Sequence, residues 1–154
     1  MSISPQRGKQ NRPFLGVVIL VNGASYCIPL TSPKEKFVGK KSQVDFIKIF
    51  DCTSRENGLQ KMIGVLNINN MIPVTDKVIK EVDLRDHKGD IIAIKRHKEL
   101  MRKQLTWCRK NVKVIENRAN KVYDLVVNHP DKNRNLVRRS SDFKKLESLL
   151  SNYH

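Results

Sequence analysis

The first half of the chain carries short apolar runs of the kind that form β-strands. A nearly continuous apolar run at Phe14–Leu20 predicts a buried strand. Asn22-Gly23 behind it is typical of a two-residue hairpin turn, because both residue types tolerate positive φ. The return strand begins near Tyr26. Further strands are predicted at Val44–Phe50, Lys61–Asn67 and Val78–Leu84.

The spacing of apolar residues changes to three and four after Asp86, which predicts helices. Asp90 is placed to cap the start of the first helix. One face of this helix is formed by Ile91, Ile94, Lys98, Met101, Leu105 and Cys108.

Two more helices are predicted in the last third of the chain. The second extends from about Val112 to Asn128, and the last, capped by Ser141, covers Lys144–Leu150. The basic segment Asn133–Ser140 between them is expected to be a loop. One side of the second helix is formed by Ile115, Ala119, Val122 and Val126.

Strands followed by helices indicate an α+β fold, and 154 residues suit a single domain with its own core. Within it we expect a basic N-terminal arm at residues 1–12, the sheet at 13–84 and mainly helices at 86–150. The side chains expected to be buried include Phe46, Ile47, Met62, Val65 and Leu66.

The net charge narrows the range of partners that the protein is expected to bind. Thirty Lys and Arg against fifteen Asp and Glu give +15 at pH 7, a balance that favours a polyanionic partner. Nucleic acid is the leading candidate, an anionic membrane surface is the second, and a basic protein without such a partner is the third. A membrane is disfavoured, since no apolar run approaches the about 20 residues of a spanning helix and the polar N-terminus lacks a signal-peptide core.

The cysteines and histidines do not indicate a metal or redox site. Cys27, Cys52 and Cys108 are odd in number and widely spaced, which fits small buried residues in a reducing cytoplasm. The four histidines show no ligand pairing, and no glycine-rich phosphate loop is present. We therefore expect neither a metal nor a cofactor.

The most distinctive stretch for chemistry is Pro29-Leu30-Thr31-Ser32-Pro33-Lys34. Prolines fix φ and donate no ladder hydrogen bond, so the strand should end at an edge and restrict the residues beside them. Two hydroxyls and an ammonium on a stiff strand end suit contact with a phosphate. A strand end with solvated polar residues explains the stretch equally well. No pair of acids stands near it, which argues against two-metal nuclease chemistry.

RNA permits cleavage without a metal, because its own 2′-hydroxyl can attack the adjacent phosphorus in line. The protein then has to position the backbone, stabilise the growing negative charge and assist proton transfer. Cationic side chains and hydroxyls supply these functions. The same groups would bind DNA without cutting it.

Four stretches are characteristic in combination: residues 12–18 (Arg-Pro-Phe-Leu-Gly-Val-Val), 26–34 (Tyr-Cys-Ile-Pro-Leu-Thr-Ser-Pro-Lys), 66–74 (Leu-Asn-Ile-Asn-Asn-Met-Ile-Pro-Val) and 103–105 (Lys-Gln-Leu). Together they resemble the ToxN/AbiQ family, the toxins of type III toxin–antitoxin systems. The resemblance covers most of residues 11–110. Its Pro-Leu-Thr-Ser-Pro-Lys motif is fairly specific, whereas the C-terminal helices match only in pattern.

The resemblance implies a compact, highly twisted antiparallel sheet of the MazF/Kid toxin type with helices packed against it. It also implies a metal-independent endoribonuclease that cuts A-rich RNA, cellular or from phage, and leaves a 2′,3′-cyclic phosphate. Such toxins are held inactive by a small structured antitoxin RNA, whose precursor they trim and which they bind in closed assemblies. The family's catalytic hydroxyls fall on Thr31 and Ser32, its lysine on Lys34, and a basic residue before the first strand on Arg12.

Two positions depart from the family pattern. Arg12 stands where a lysine is common, and a guanidinium that stays protonated stabilises charge but is a poor general base. Gly8 stands at the position of an upstream tyrosine. A truncated or rebuilt N-terminus of this kind would make the chain less active than its relatives.

RNA contacts are expected from Tyr26, Asn69 and the basic residues around the motif and on the first helix. These basic residues are Lys9, Lys36, Lys40, Lys41, Lys95, Arg96, Lys98, Arg102 and Lys103. A solvated helix face explains the last five equally well. A turn held by local hydrogen bonds is favoured over base contact for the asparagines at 67, 69 and 70.

Two other function classes stay open. A non-catalytic RNA-binding module would grip phosphates with the same cations, although an aromatic content of 6% is low for a stacking platform. A small structural protein of a large ribonucleoprotein explains the charge. It does not explain the two hydroxyls and the lysine held by prolines.

Overall fold

The computed structural model describes residues 2–4, 14–33, 43–56 and 59–153. In these ranges the chain forms a sheet of six antiparallel strands, with helices on one face. The strands are β1 (Ser2–Ser4), β2 (Phe14–Val21), β3 (Ala24–Thr31), β4 (Phe46–Glu56), β5 (Leu59–Asn67) and β6 (Ile72–Pro73). The helices are α1 (Ile92–Lys110), α2 (Val112–Val127), α3 (Arg134–Arg139) and α4 (Phe143–Ser151). Short 3₁₀ turns lie at Ile68–Asn70 and Pro130–Lys132.

Strand β3 has hydrogen-bonded neighbours on both edges, which makes it the centre of the sheet. The order of the main path is β1-β2-β3-β5-β4, and β6 pairs with β3 at Tyr26 and Cys27. The predicted hairpin of β2 and β3 is confirmed, with φ of 50° at Asn22 and 78° at Gly23. The predicted α+β class is confirmed as well.

The N-terminal half differs from the predictions at two places. The residues Ser2–Ser4, expected in a loose arm, pair with Phe14–Gly16 as strand β1. Val78–Leu84 is not a strand, although its apolar positions alternate. The carbonyls of Leu84 and Arg85 instead accept hydrogen bonds from side chains of α1, so this segment is held against a helix and not in the sheet.

The predicted helices are present, but three details were wrong. Asp90 does not cap α1, since its carboxylate accepts from the N–H of His87 and from Lys98. The cap of α4 is Asp142 and not Ser141, because Asp142 accepts from the N–H of Lys145. The segment expected as a loop at 133–140 contains helix α3, which buries Leu136 in the core.

The main core lies between one sheet face and helices α1, α2 and α4. Its fully buried members include Ile28, Ile49, Leu66, Ile115 and Val122. The predicted apolar side of α2 is confirmed. The run in β2 is buried on one side only, since Val18 and Leu20 are exposed. In α1, Met101 and Cys108 are buried, but Ile91 and Ile94 are exposed because the start of this helix extends past the core.

Three aromatic side chains that pack against one another join β3 to the C-terminal helices. The rings of Tyr26, Tyr123 and Phe143 lie with their centroids 5.7–6.0 Å apart. The hydroxyls of Tyr26 and Tyr123 both donate to one oxygen of Glu147, over 2.6 and 2.9 Å. Burial, together with the Glu147 carboxylate, raises the pKa of Tyr26, so its hydroxyl stays a donor. These bonds fix α4 onto the centre of the sheet.

Among the described residues, none of the helices combines the length and the apolar composition that crossing a membrane requires.

Replacing Tyr26 with Phe tests the link between β3 and α4. The substitution removes one donor from Glu147 and keeps the ring, so the free energy of unfolding should fall by about 1.5–3 kcal/mol, the usual contribution of a hydrogen bond to a charged group. Urea denaturation at neutral pH measures this change. Tyr153→Phe is the matched control, because its side chain is exposed, and it should change the free energy by less than about 0.5 kcal/mol.

The effect should also depend on pH. Burial opposes ionisation of Glu147, but the hydrogen bonds from Tyr26 and Tyr123 and the charge of Lys144 outweigh it and lower the pKa of Glu147 from its ordinary 4.5. A carboxylate with a lowered folded pKa stabilises the fold above its unfolded pKa, and this contribution is lost as pH falls through the folded value. The penalty of Tyr26→Phe should therefore shrink below about pH 4. A penalty independent of pH would contradict the role of Glu147.

Candidate functional site

The Thr31 side chain lies at the end of β3, on the sheet face opposite the main core. Thr31 pairs with Val65, which pairs in turn with Lys48, so the three residues form a row on one face. The neighbouring row Leu30, Leu66 and Ile47 belongs to the main core. We call the face that carries Thr31 the outer face.

Two hydrogen bonds fix the hydroxyl of Thr31. It donates to the carbonyl of Val65 over 3.4 Å and accepts from Nδ2 of Asn67 over 3.3 Å. Beneath it, Phe46 and Val65 form a small buried apolar cluster with Met62 packed against it. All three were predicted to be buried. Phe46 and Val65 are buried, and Met62 is buried only in part. The outer face thus offers an oriented polar group above an apolar floor.

Ser32 and Pro33 follow directly and are exposed. The strand ends at Thr31, but the expectation that the two prolines place it at a sheet edge was wrong, since β3 is central. Pro29 pairs with Gly16 of β2, and on the other side it lies between Cys27, which pairs with β6, and Leu30, which pairs with β5. The Ser32 hydroxyl has no hydrogen-bond partner among the described residues. Lys34 and Arg12, the other predicted catalytic residues, lie outside the described residues. The structure therefore places the two hydroxyls next to each other at a strand end.

A close contact between α1 and β5 supports this strand end from the core side. Nε2 of the buried Gln104 donates to the carbonyl of Ile63 over 2.8 Å. A Cβ at Gly64 would lie 2.8 Å from that Nε2 and 3.0 Å from the carbonyl oxygen of Thr31. Gly64 is therefore required for β5, β3 and α1 to approach one another at the site.

Three of the predicted RNA-binding residues of α1 are engaged within the protein. Lys98 is buried and donates to Asp90 and to the carbonyl of Arg85, each over 2.7 Å. Arg102 donates to the carbonyl of Leu84 and to Asp86, and Lys103 pairs with the buried Asp51 over 3.2 Å. Lys95 and Arg96 are exposed, and no described residue accepts a hydrogen bond from their side chains.

Tyr26 and Asn69 are used for internal contacts. The Tyr26 ring is fully buried, so it presents no surface to RNA, and this part of the prediction is not supported. Asn69 is half-buried, and its Nδ2 donates to the carbonyl of Arg139 over 2.9 Å. Lys9, Lys36, Lys40 and Lys41 lie outside the described residues.

Two titratable groups in contact with or within α1, Asp51 and Cys108, have pKa values shifted away from neutral pH. Hydrogen bonds from the Thr53 side chain and N–H, together with Lys103, hold the pKa of Asp51 at about 2. Burial raises the pKa of the Cys108 thiol to about 12, which makes it a packing residue and not a nucleophile. In the described part of the chain, no three His, Cys, Asp or Glu side chains come together as metal ligands.

Several residues of the site were missed by sequence reasoning. Asn67 was assigned to a turn, although it bonds to Thr31 across two strands. Gly64 and Gln104 gave no local signal of their contact, because they are 40 positions apart and no pattern links them. The half-exposed Arg139, paired with the buried Asp45 over 2.7 Å, fell in a segment that was predicted to be a loop.

Residues 2–151 match the sequence model of one protein family, which is described as "Toxin ToxN, type III toxin-antitoxin system". Endoribonuclease ToxN of Bacillus thuringiensis subsp. kurstaki is 34% identical over 148 residues, which are 94% of this chain and 70% of that protein. Endoribonuclease AbiQ of Lactococcus lactis subsp. lactis is 31% identical over 146 residues, 91% of this chain and 72% of that protein.

Two solved structures are similar over most of this chain. One comes from work on type III toxin–antitoxin systems and on selective toxin inhibition by a non-coding RNA pseudoknot. Its TM-score is 0.69 at 33% sequence identity, and the match covers 97% of this chain and 83% of that chain. The other is AbiQ, a lactococcal anti-phage endoribonuclease, with a TM-score of 0.70 at 26% sequence identity. This match covers 96% of this chain and 84% of that chain. These similarities confirm the twisted antiparallel sheet and packed helices that the motifs implied.

The substitution Gly64→Ala tests the contact beneath the strand end. The added Cβ collides with Gln104 and with the Thr31 carbonyl, so the free energy of unfolding should fall by about 1–3 kcal/mol. The penalty should be smaller in a Gln104→Ala background, since the nearest atom is then absent. A double-mutant cycle by urea denaturation measures the difference. Equal penalties in the two backgrounds would contradict the packing described.

Proposed function

Because the chain belongs to the ToxN family of toxins of type III toxin–antitoxin systems, we propose that it is a metal-independent endoribonuclease inhibited by a small structured antitoxin RNA. The observation that supports the mechanism best is the pair of hydroxyls at the end of β3. Thr31 is held in one orientation by Val65 and Asn67, and Ser32 is exposed beside it. The resemblance places the family's catalytic hydroxyls on Thr31 and Ser32 and its lysine on Lys34.

The proposed reaction is an intramolecular transfer. The 2′-hydroxyl of the RNA releases its proton to a base or to water as its oxygen bonds to the adjacent phosphorus, the bond from phosphorus to the 5′-oxygen breaks, and the 5′-oxygen takes up one proton, so the protons balance. The products are a 2′,3′-cyclic phosphate and a 5′-hydroxyl. No metal is needed, since the substrate supplies the nucleophile and the protein supplies position and charge stabilisation.

Each residue of the motif has a distinct role in this proposal. Ser32 orients the phosphate or passes a proton to the leaving 5′-oxygen. Thr31 is less free to move, so it aligns the phosphate and does not relay protons. Lys34 and Arg12 stabilise the charge that grows on the phosphoryl oxygens. Arg12 is not the base, because its guanidinium stays protonated.

The RNA is captured by cations outside the motif. Lys95 and Arg96, exposed at the start of α1, remain proposed contacts, together with the lysines at 9, 36, 40 and 41. Asp90, Asp86 and Asp51 neutralise the three engaged cations of α1, which we now assign to holding the fold.

The biological setting follows the relatives. We propose that the whole chain, residues 1–154, is one toxin domain that acts in the cytoplasm on A-rich cellular or phage RNA. It trims the precursor of its antitoxin RNA and stays bound to the product in a closed assembly. An anti-phage role, as in AbiQ, belongs to the same proposal.

Ser32→Ala separates catalysis from binding. A preorganised donor contributes about 10²–10³ in rate, so cleavage should fall by that factor. RNA affinity should change by less than about tenfold, because one neutral hydrogen bond contributes about 1 kcal/mol. Lys34→Ala should lose as much activity and somewhat more affinity. Gel assays of RNA cleavage and filter binding measure the two quantities.

Ser25→Ala is the matched control, since Ser25 is an exposed serine at the other end of the same strand. It should leave the cleavage rate unchanged. Ser32→Ala with a normal cleavage rate would place the active site elsewhere and favour a non-catalytic RNA-binding module.

The source of the nucleophile can be tested on the substrate. Cleavage should continue in excess EDTA, and the upstream fragment should end in a 2′,3′-cyclic phosphate, as mass spectrometry detects. A 2′-deoxyribose at the scissile position should abolish cutting, because the attacking oxygen is gone. Cleavage of the deoxy substrate would rule out the proposed transfer.

A further inference from the structure

A buried carboxylate just before β4 holds a half-exposed arginine at the end of α3. Oδ2 of Asp45 accepts from Nε of Arg139 over 2.7 Å. The Asp45 side chain is only 9% exposed, whereas that of Arg139 is 44% exposed. Oδ1 of Asp45 is buried and has no hydrogen-bond partner among the described residues. The pair is thus open to solvent only on the side of the arginine.

The backbone around this pair is fixed as well. The carbonyl of Asp45 accepts from the N–H groups of Ile68 and Asn69, over 2.9 and 3.3 Å. The side chain of Asn69 donates to the carbonyl of Arg139, and its own carbonyl accepts from Ser141 over 2.8 Å. Both the backbone and the guanidinium of Arg139 are therefore tied to the sheet.

The free side of this guanidinium has the geometry that a phosphate requires. A guanidinium is planar, so fixing Nε also fixes the direction of the two terminal nitrogens. No described residue accepts a hydrogen bond from either terminal nitrogen of Arg139. Two parallel N–H donors on an oriented plane bind a phosphate in bidentate fashion.

The surroundings of Arg139 are strongly basic. It lines a cleft of about 540 Å³ together with Lys132 and Arg134, and Asp131 is the acid of that cleft. Arg138 is exposed on the same short helix, α3. A polyanion fits this cleft better than a neutral or cationic ligand.

The cleft also lies within reach of the strand end at Thr31. Asp45 precedes Phe46, which pairs with Asn67, and Asn67 donates to Thr31. Asp45 is two strands across and three residues along from Thr31. With strands about 4.8 Å apart and about 3.4 Å per residue, their Cα atoms are roughly 14 Å apart. A few nucleotides of extended RNA cover this distance.

We propose that Arg139 binds a backbone phosphate of the RNA a few nucleotides from the cleavage position, and that Asp45 is the positioning residue that orients it. This inference rests on the proposed function, whose active site it extends by a second anchoring point. The partner is a single-stranded RNA segment that runs from the hydroxyls at the end of β3, past the start of β4, to the cleft beside α3. Two fixed points set the register of the RNA at the site.

The experiment measures binding of a fluorescent oligoadenylate dodecamer with 2′-O-methyl riboses, which cannot be cleaved. Arg139→Gln should weaken binding about tenfold, since a charge-assisted contact is lost. It should also lower the slope of log affinity against log salt by about 0.7, the contribution of one phosphate on a single strand. Arg138→Gln, which removes the same charge one residue away, should change affinity by less than about threefold.

Asp45→Asn distinguishes orientation from charge. It keeps the arginine and the size of the side chain but removes the carboxylate that holds Nε. Affinity should fall by a few fold while the salt slope stays unchanged. In cleavage assays with natural RNA, Arg139→Gln should raise KM far more than it lowers kcat.

Each other outcome decides against the proposal. If Arg139→Gln lowers the melting temperature but leaves the affinity and the salt slope as in the wild type, the pair only fastens α3 to the sheet. Equal losses for Arg138→Gln and Arg139→Gln would show diffuse charge and no anchoring point. Should Arg139→Gln fail to fold, Arg139→Lys replaces it as the test, because lysine keeps the charge but lacks the two terminal nitrogens of the guanidinium. An affinity of Arg139→Lys equal to that of the wild type would overturn the inference.

Failure of the proposed function would look different. A wild-type chain that cuts no RNA, but whose affinity and salt slope still depend on Arg139, would refute the nuclease and leave the phosphate contact standing. If the wild-type chain cuts RNA but Arg139→Gln changes neither the affinity nor the salt slope, the nuclease would stand and the phosphate contact would be refuted.

Discussion

The arrangement of this protein depends on the hydrogen bonding of β3 along both of its edges. One edge pairs with β2, while the other pairs with β6 at Tyr26 and with β5 at Thr31. A strand held in this way cannot shift its register without breaking several ladders at once. The Thr31 hydroxyl at its end is held by this arrangement, and Pro33, two residues on, has no N–H with which to continue the ladder. Rigid elements of this type are the ones that hold reacting groups precisely.

The distribution of acids explains how so basic a chain folds. Asp51, Asp86 and Asp90 each pair with a cation of α1, and Asp45 pairs with Arg139. The contacts of Asp51 and Asp45 join residues 52 and 94 positions apart, whereas those of Asp86 and Asp90 hold the segment before α1 against that helix. The acids therefore fasten α1 and α3 to the rest of the molecule. Exposed cations such as Lys95 and Arg96 have no acid partner among the described residues, and the positive potential of such a surface favours a polyanionic ligand.

The sequence predicted the elements that depend on local chemistry. The β2–β3 hairpin follows from two residues that accept positive φ, and α2 follows from four apolar residues at helical spacing. The motif at Pro29–Lys34 indicated where β3 ends, but not that β3 lies at the centre of the sheet. Each of these signals is contained within a few positions, which is why reasoning on neighbours was sufficient.

The remaining features depend on contacts between distant residues. Val78–Leu84 alternates like a strand, but Lys98 and Arg102 take its neighbouring carbonyls, which no local pattern shows. Glu147 bonds to Tyr26 across 121 positions. Helix α3 has one buried anchor, Leu136, too few for a periodic pattern. The five α1 cations that were predicted to bind RNA look equivalent in sequence, and they are distinguished only when the acids around them are located.

The apolar floor beneath Thr31 has a consequence for the electrostatics of the site. Phe46 and Val65 are buried side chains with no mobile dipoles, so charges above them are less screened than charges surrounded by water. An ammonium and a phosphate that meet at this strand end interact in a medium of lower effective dielectric constant than at the exposed start of α1. Under the proposed function, ionic strength should therefore affect the capture of RNA by Lys95 and Arg96 more than it affects the chemical step, so that binding and cleavage would respond separately to the salt of the cell.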